Sequence, residues 1–83
     1  NFPNVQLNRT TPSRITITNK NVPAMLGQIT TSLGDIGLNI AEMTNVSRDE
    51  VAYNLIDIEN EVNEESITKL SEIENVINVR LIN

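Results

Sequence analysis

The stretch from Asn19 to Asn39 reads N-K-N-V-P-A-M-L-G-Q-I-T-T-S-L-G-D-I-G-L-N, and its pattern decides how the rest of the chain is arranged. A polar turn, Asn19-Lys20-Asn21-Val22, leads to Pro23, which suits the first position of a helix because its missing N–H costs nothing there. Leu26, Ile29, Leu33 and Ile36 then recur at helical spacing and predict one apolar stripe. Gly37 stands where a left-handed residue closes a helix. Gly27 and Gly34 weaken such a helix by ~1 kcal/mol each relative to alanine. Gly27 lies in the first turn, which suggests close approach by a strand, a ligand or a second subunit. The stretch is therefore turn, amphipathic helix, turn, with Asn21 ahead of the helix and Asn39 behind it.

Working outward, Ile15 and Ile17 alternate with Thr16 and Thr18, so Arg14 to Thr18 predicts a half-buried strand of β-branched residues. Leu38 to Ser47 predicts a second strand, with Leu38, Ile40, Thr44 and Val46 on one face. Arg48-Asp49-Glu50 is a tight polar connection, and Val51 to Glu59 returns as a third strand to make a hairpin. That third strand is apolar on both sides, Tyr53 and Leu55 on one and Ile56 and Ile58 on the other, as central strands are. One side would meet helices and the other needs a further cover.

Asn63 is a good N-cap for a second helix, Glu64 and Glu65 complement its dipole, and Val62 can staple onto Ile67. Ile67, Leu70 and Ile73 make its buried stripe, and Asn75 suits a left-handed closing position. Val76 to Ile82 predicts the last strand, with Ile77, Val79 and Leu81 inward and Asn78 and Arg80 outward. The order is β-α-β-β-α-β. Right-handed crossovers then put both helices on one face of a four-stranded antiparallel sheet, an α+β ferredoxin-like sandwich. Residues 1–13, with two prolines and many small polar side chains, read as a linker or N-terminal arm in which Phe2, Val5 and Leu7 could pack; residues 14–83 form the domain.

At 83 residues one domain is the only sensible count, and a core this small is marginal. With no cysteine, oligomerisation or docking onto a larger protein is the usual remedy. The net charge of −5 and six scattered basic residues argue against nucleic acid and anionic membrane as partners. There is one Phe and one Tyr, so bases have almost nothing to stack on. No long apolar run predicts a membrane span, no leader pattern is present, and cytoplasm is the expected compartment. The start at Asn1 suggests a fragment or a processed product.

Catalytic chemistry has few candidates. Histidine and cysteine are absent, which removes the commonest general base, the thiolate nucleophile and the usual zinc ligands. Asp57 and Glu59 share a strand face, yet read more simply as a solvated strand end. Glu61, Glu64 and Glu65 read as helix-start acids and not as a metal site. Neither common phosphate-cradling motif occurs. The first turn offers Lys20 but no arginine, unlike the anion loop of the acylphosphatases. Asn21 and Asn39 remain. A carboxamide donates and accepts at once, so it can hold the carboxylate or ammonium of an amino acid without imposing charge. Asn21 also precedes a helix start, where free N–H groups favour an anion. Both residues are equally readable as turn asparagines.

In its order of motifs the chain resembles the ACT regulatory domain: strand, N-x-P-x-x-L, helix, G-[LV]-N-I-A, hairpin, I-D-I-E, helix, strand. It is most similar to the C-terminal domain of the serine-inhibited D-3-phosphoglycerate dehydrogenases. That family's N-F-P-x-V stands here as Asn1 to Val5, its H-x-N-x-P-G loop as Asn19 to Ala24, its G-[LV]-N-I-A as Gly37 to Ala41 and its I-D-I-E as Ile56 to Glu59. The resemblance covers essentially the whole chain. It implies a homodimer that binds L-serine, or another small amino acid, between subunits and inhibits an NAD-dependent dehydrogenase from a distance. The effector residues it implies are Asn19, Asn21, Val22, Pro23, Ala24 and Asn39. The parent would use NAD; this fragment is expected to be no enzyme by itself and to carry neither catalytic residues, cofactor nor metal. Two positions depart from the pattern: Asn19 replaces a histidine, and Ala24 replaces a glycine, so a methyl would narrow access to the helix start. The alternative is a structural dimerisation domain that has lost or changed its effector.

Overall fold

The computed structural model describes residues 12–82. The expected linker, with its N-F-P-x-V motif and Phe2, Val5 and Leu7, lies outside the described residues except for Pro12 and Ser13. Six elements follow in order: β1 (Ser13–Lys20), α1 (Met25–Asp35), β2 (Ile40–Arg48), β3 (Val51–Ile58), α2 (Glu64–Ser71) and β4 (Val76–Ile82). The strands form one antiparallel sheet in the order β2-β3-β1-β4. Both helices cover one face, which is the expected ferredoxin-like arrangement.

The core lies between that face and the helices. Ile15 and Ile17 of β1, Ile56 and Ile58 of β3, Ile29 and Leu33 of α1 and Leu70 of α2 are its largest fully buried side chains. Each contributes ~1.5–3 kcal/mol through removal of apolar surface from water. β1 alternates as expected, with Ser13, Ile15, Ile17 and Asn19 inward. Arg14, Thr16 and Thr18 lie on the open face, where Arg14 meets its register partner Asp57 in a two-bond ion pair, Nε to Oδ1 at 2.6 Å and Nη2 to Oδ2 at 3.1 Å. Hydrogen bonding to that carboxylate raises the Arg14 pKa. Asp57 is therefore engaged with a cation and makes no acid pair with Glu59.

Three expectations about faces are corrected, each for a backbone reason. In α1 the inward stripe is Met25, Ile29 and Leu33, and Leu26 is 47% exposed. Pro23 falls outside the helix because Ala24, with φ 71° and ψ 5°, is its left-handed N-cap and rotates the first turn. In β2 a register shift between Ile40 and Glu42 inserts Ala41 as a bulge. A single extra residue reverses the side on which every later residue points. Ile40 and Met43 therefore pack on the core, while Thr44 and Val46 join Tyr53 and Leu55 on the open face. In β4 a second shift, opposite Thr18 and Asn19, leaves Ile77 unpaired in register and 55% exposed; Val76 packs on the core in its place, beside Val79 and Leu81, which face inward as expected.

The ends of the helices follow local chemistry. Gly37 takes φ 82° after α1, and the bonds Leu38 N to Leu33 O (2.9 Å) and Gly37 N to Gly34 O (3.0 Å) form a Schellman closure. Asn63 caps α2 by accepting from Ser66 N at 2.9 Å, with Glu64 and Glu65 in the first turn. Asn75 is left-handed, but it serves the turn into β4, because α2 ends earlier, at Ser71. Among the described residues no helix is long and apolar enough to cross a membrane.

Candidate functional site

The loop from Lys20 to Ala24 joins β1 to α1 beside the β2–β3 turn. Asn21 N donates to Glu50 O at 2.9 Å and Asn21 Nδ2 donates to Asp49 O at 3.1 Å, so the loop is strapped to the hairpin tip. Val22 N donates back to Lys20 O at 2.9 Å and turns the chain toward Pro23. Asn21, Val22, Pro23 and Ala24 are all exposed. The start of α1 has no side-chain cap and no acidic residue in its first turn. Its first N–H groups and the positive end of its dipole are thus open to an anion. Gly27 is also open: a Cβ built there meets nothing within 4 Å, so no described strand approaches it.

Asn39 sits at the other end of the sheet. Its backbone N–H donates to Asn60 Oδ1 at 2.7 Å and its carbonyl accepts from Glu59 N at 2.9 Å. Its carboxamide is exposed, with no bond to another described residue. Asn21 and Asn39 are separated by the whole of β2, about 25 Å at strand rise. They do not converge within one chain. Among the described residues β2 is an edge strand, and no described strand pairs with its outer row of backbone groups. An antiparallel pairing of two β2 strands about a two-fold axis sets the start of one against the end of the other. Such a pairing would bring Asn39 of one copy to the loop of the other.

Asn19 differs from its neighbours in the loop. It is 2% exposed, it accepts from Asn54 Nδ2 at 2.7 Å, and its own Nδ2 donates to Lys20 O at 2.7 Å. Its carboxamide is committed inside the fold. Asn54 and Asn45, which continue this row of bonds toward the β2 edge, did not stand out in the sequence. The available signal was Asn54 at an inward position of β3, between Ala52 and Ile56, because a buried polar group demands partners. Elsewhere, the open face of the sheet carries a shallow concavity lined by Thr16, Thr18, Thr44, Val46, Tyr53 and Leu55. Among the described residues no group of three metal-ligating side chains comes together.

No family model matches the sequence, and no curated protein matches it. Solved structures do match. The ACT domain of GTP pyrophosphokinase from Chlorobium tepidum superposes with a TM-score of 0.65 at 21% identity, over 84% of this chain and 95% of that one. An ACT domain protein from Streptococcus pneumoniae gives 0.67 at 14% identity, over 84% and 85%. The regulatory subunit of aspartate kinase from Thermus thermophilus gives 0.73 at 9% identity, over 92% of this chain and 54% of that one. At these identities the likeness speaks for the fold alone. A four-stranded sheet in the order β2-β3-β1-β4 under two helices, superposing on these proteins over most of its length, gives the chain the architecture of an ACT domain.

Proposed function

We propose that this chain is a regulatory module that binds a free amino acid where two copies join through their β2 edges. L-serine is the leading candidate and another small amino acid the next. One observation carries the reading: two exposed carboxamides, Asn21, whose Nδ2 is held by Asp49 O, and Asn39, stand at opposite ends of an edge strand. Two-fold pairing of that edge turns a separation of about 25 Å into proximity, twice per dimer. The uncapped start of α1 supplies N–H groups for the ligand carboxylate, and the two carboxamides suit the ammonium and a hydroxyl. Val22, Pro23 and Ala24 form the wall of the pocket, and Asn19 holds the loop from beneath.

The parent in this reading is an NAD-dependent phosphoglycerate dehydrogenase under feedback by serine. Its support is the run of short motifs in the sequence. Binding across the interface favours one subunit arrangement and biases a distant active site by that preference. The second reading, a dimerisation module without effector, draws on the Ala24 methyl at the mouth of the loop and on the buried Asn19 side chain.

The test is a titration of the 83-residue chain with each of the twenty amino acids, followed by NMR and by thermal unfolding. A ligand selective for the folded dimer must raise the melting temperature. Asn21→Ala and Asn39→Ala should each weaken binding by ~1–3 kcal/mol, the usual cost of unpaired polar partners. A confirmed dimer in which no amino acid moves any resonance would leave only the structural reading.

A further inference from the structure

Three carboxamides cross the helix-facing side of the sheet in series. Asn45 Nδ2 donates to Asn54 Oδ1 at 2.6 Å. Asn54 Nδ2 donates to Asn19 Oδ1 at 2.7 Å and to Ile17 O at 3.0 Å. Asn19 Nδ2 donates to Lys20 O at 2.7 Å. Two backbone carbonyls fix the direction of the series. The oxygens of Ile17 and Lys20 only accept, so Asn54 and Asn19 must turn their NH2 groups toward them, and Asn45 is left to donate. Every donor therefore points the same way, from the β2 edge toward the loop. Aligned hydrogen bonds polarise one another, so a change at one end is transmitted to the next.

The two ends have different surroundings. Asn54 and Asn19 are each 2% exposed, so water does not replace a lost partner. The receiving end, the Lys20 carbonyl, also accepts from Val22 N and closes the turn that presents Asn21, Pro23 and Ala24. The sending end, Asn45, is exposed on the edge strand, and no described residue donates to its carboxamide oxygen. The backbone ladders already hold β2, β3 and β1 in register, and the Asn45–Asn54 and Asn54–Ile17 bonds add to them. The continuation through Asn19 serves the loop.

We infer that Asn54 is a positioning residue for the loop at 20–24, acting through Asn19, and that Asn45 is the handle by which β2 pairing with a second copy resets that loop. This rests on the edge-paired, amino-acid-binding reading and adds the route by which assembly and loop geometry are tied. A donor supplied by the second copy to Asn45 Oδ1 strengthens each bond downstream, and the loop's bound geometry favours pairing in return, since linkage is reciprocal.

The experiment is NMR of the ¹⁵N-labelled 83-residue chain, with no amino acid added, diluted from millimolar to micromolar concentration. The Asn19 carboxamide resonances should move in step with the β2 backbone amides as the dimer separates. In Asn45→Ala the chain should still fold and pair, but the Asn19 resonances should lose their dependence on dilution. Asn54→Leu should shift the Lys20 to Ala24 backbone amides; because it can also compromise folding, the exposed Asn45→Ala change carries the decision. Asn19 resonances that stay fixed while β2 amides move would overturn the inference. So would an unchanged dilution response in Asn45→Ala, or a monomer at every concentration. Neither readout uses a ligand, so failure of serine to bind is a separate result of a separate titration.

Discussion

Ala24→Gly is the sharpest test of the loop geometry. Ala24 holds φ 71° and ψ 5°, a left-handed conformation in which its Cβ crowds the backbone. For an L-residue that costs ~1–2 kcal/mol. Glycine removes the cost but adds freedom to the unfolded chain, which returns ~0.4–1 kcal/mol of it. The expected net gain is about 0.5–1 kcal/mol, and at ~4–8 °C per kcal/mol for a domain of this size the melting temperature should rise by a few degrees. Far-UV circular dichroism during heating reads it directly. Gly37→Ala is the mirror control: Gly37 has φ 82° and an added Cβ meets nothing within 4 Å, so any loss there is backbone strain alone. A lower melting temperature in Ala24→Gly, alongside an undisturbed Gly37→Ala, would refute the reasoning. If an amino acid binds at the loop, the same substitution should also tighten it, because the methyl at the helix start is gone.

Other expectations follow from the fold. Gly27→Ala, exposed with open space around its position, should stabilise the isolated chain by ~1 kcal/mol in denaturant unfolding; if a second subunit packs on that turn, the same change should weaken the dimer in sedimentation analysis. Ile77→Ser should cost within ~0.5 kcal/mol because the side chain is displaced outward, whereas Ile29→Ala in the core should cost ~2–5 kcal/mol, both read by chemical denaturation. Asn63→Ala removes the bond to Ser66 N and should cost ~0.5–2 kcal/mol. Arg14→Gln should lower the melting temperature equally at neutral and mildly alkaline pH. Its folded pKa is raised, so the contribution is complete below the ordinary arginine range and is lost only as pH climbs through the still higher folded value.

The element order was readable because each segment declares its own period: alternation in β1 and β3, helical spacing in α1 and α2. What escaped the pattern were single-residue changes of phase. Ala41 and Ile77 are ordinary strand residues, and nothing local marks them as bulges; both shifts arise from pairing with a neighbouring strand. Ala24 escaped for a related reason. Pro23 is a strong helix-start signal, and alanine is a poor advertisement for a left-handed turn. The exposed carboxamides of Asn21 and Asn39 were legible from their positions beside a helix. The row joining Asn19, Asn54 and Asn45 was not, since its members lie on three strands and meet only through sheet register.

The two rims of the sheet are unlike, and that bears on how copies can accumulate. Each carries a register shift near its start; beyond it β2 pairs without a break from Glu42 to Arg48, and β4 over the shorter run from Asn78 to Ile82. Joining like rims consumes both and stops at two chains; joining unlike rims leaves one free at each end and propagates into a fibre. The register shift at Ile77 shortens the regular template that such growth would need, so the module can keep one rim receptive without becoming a seed for its own polymerisation.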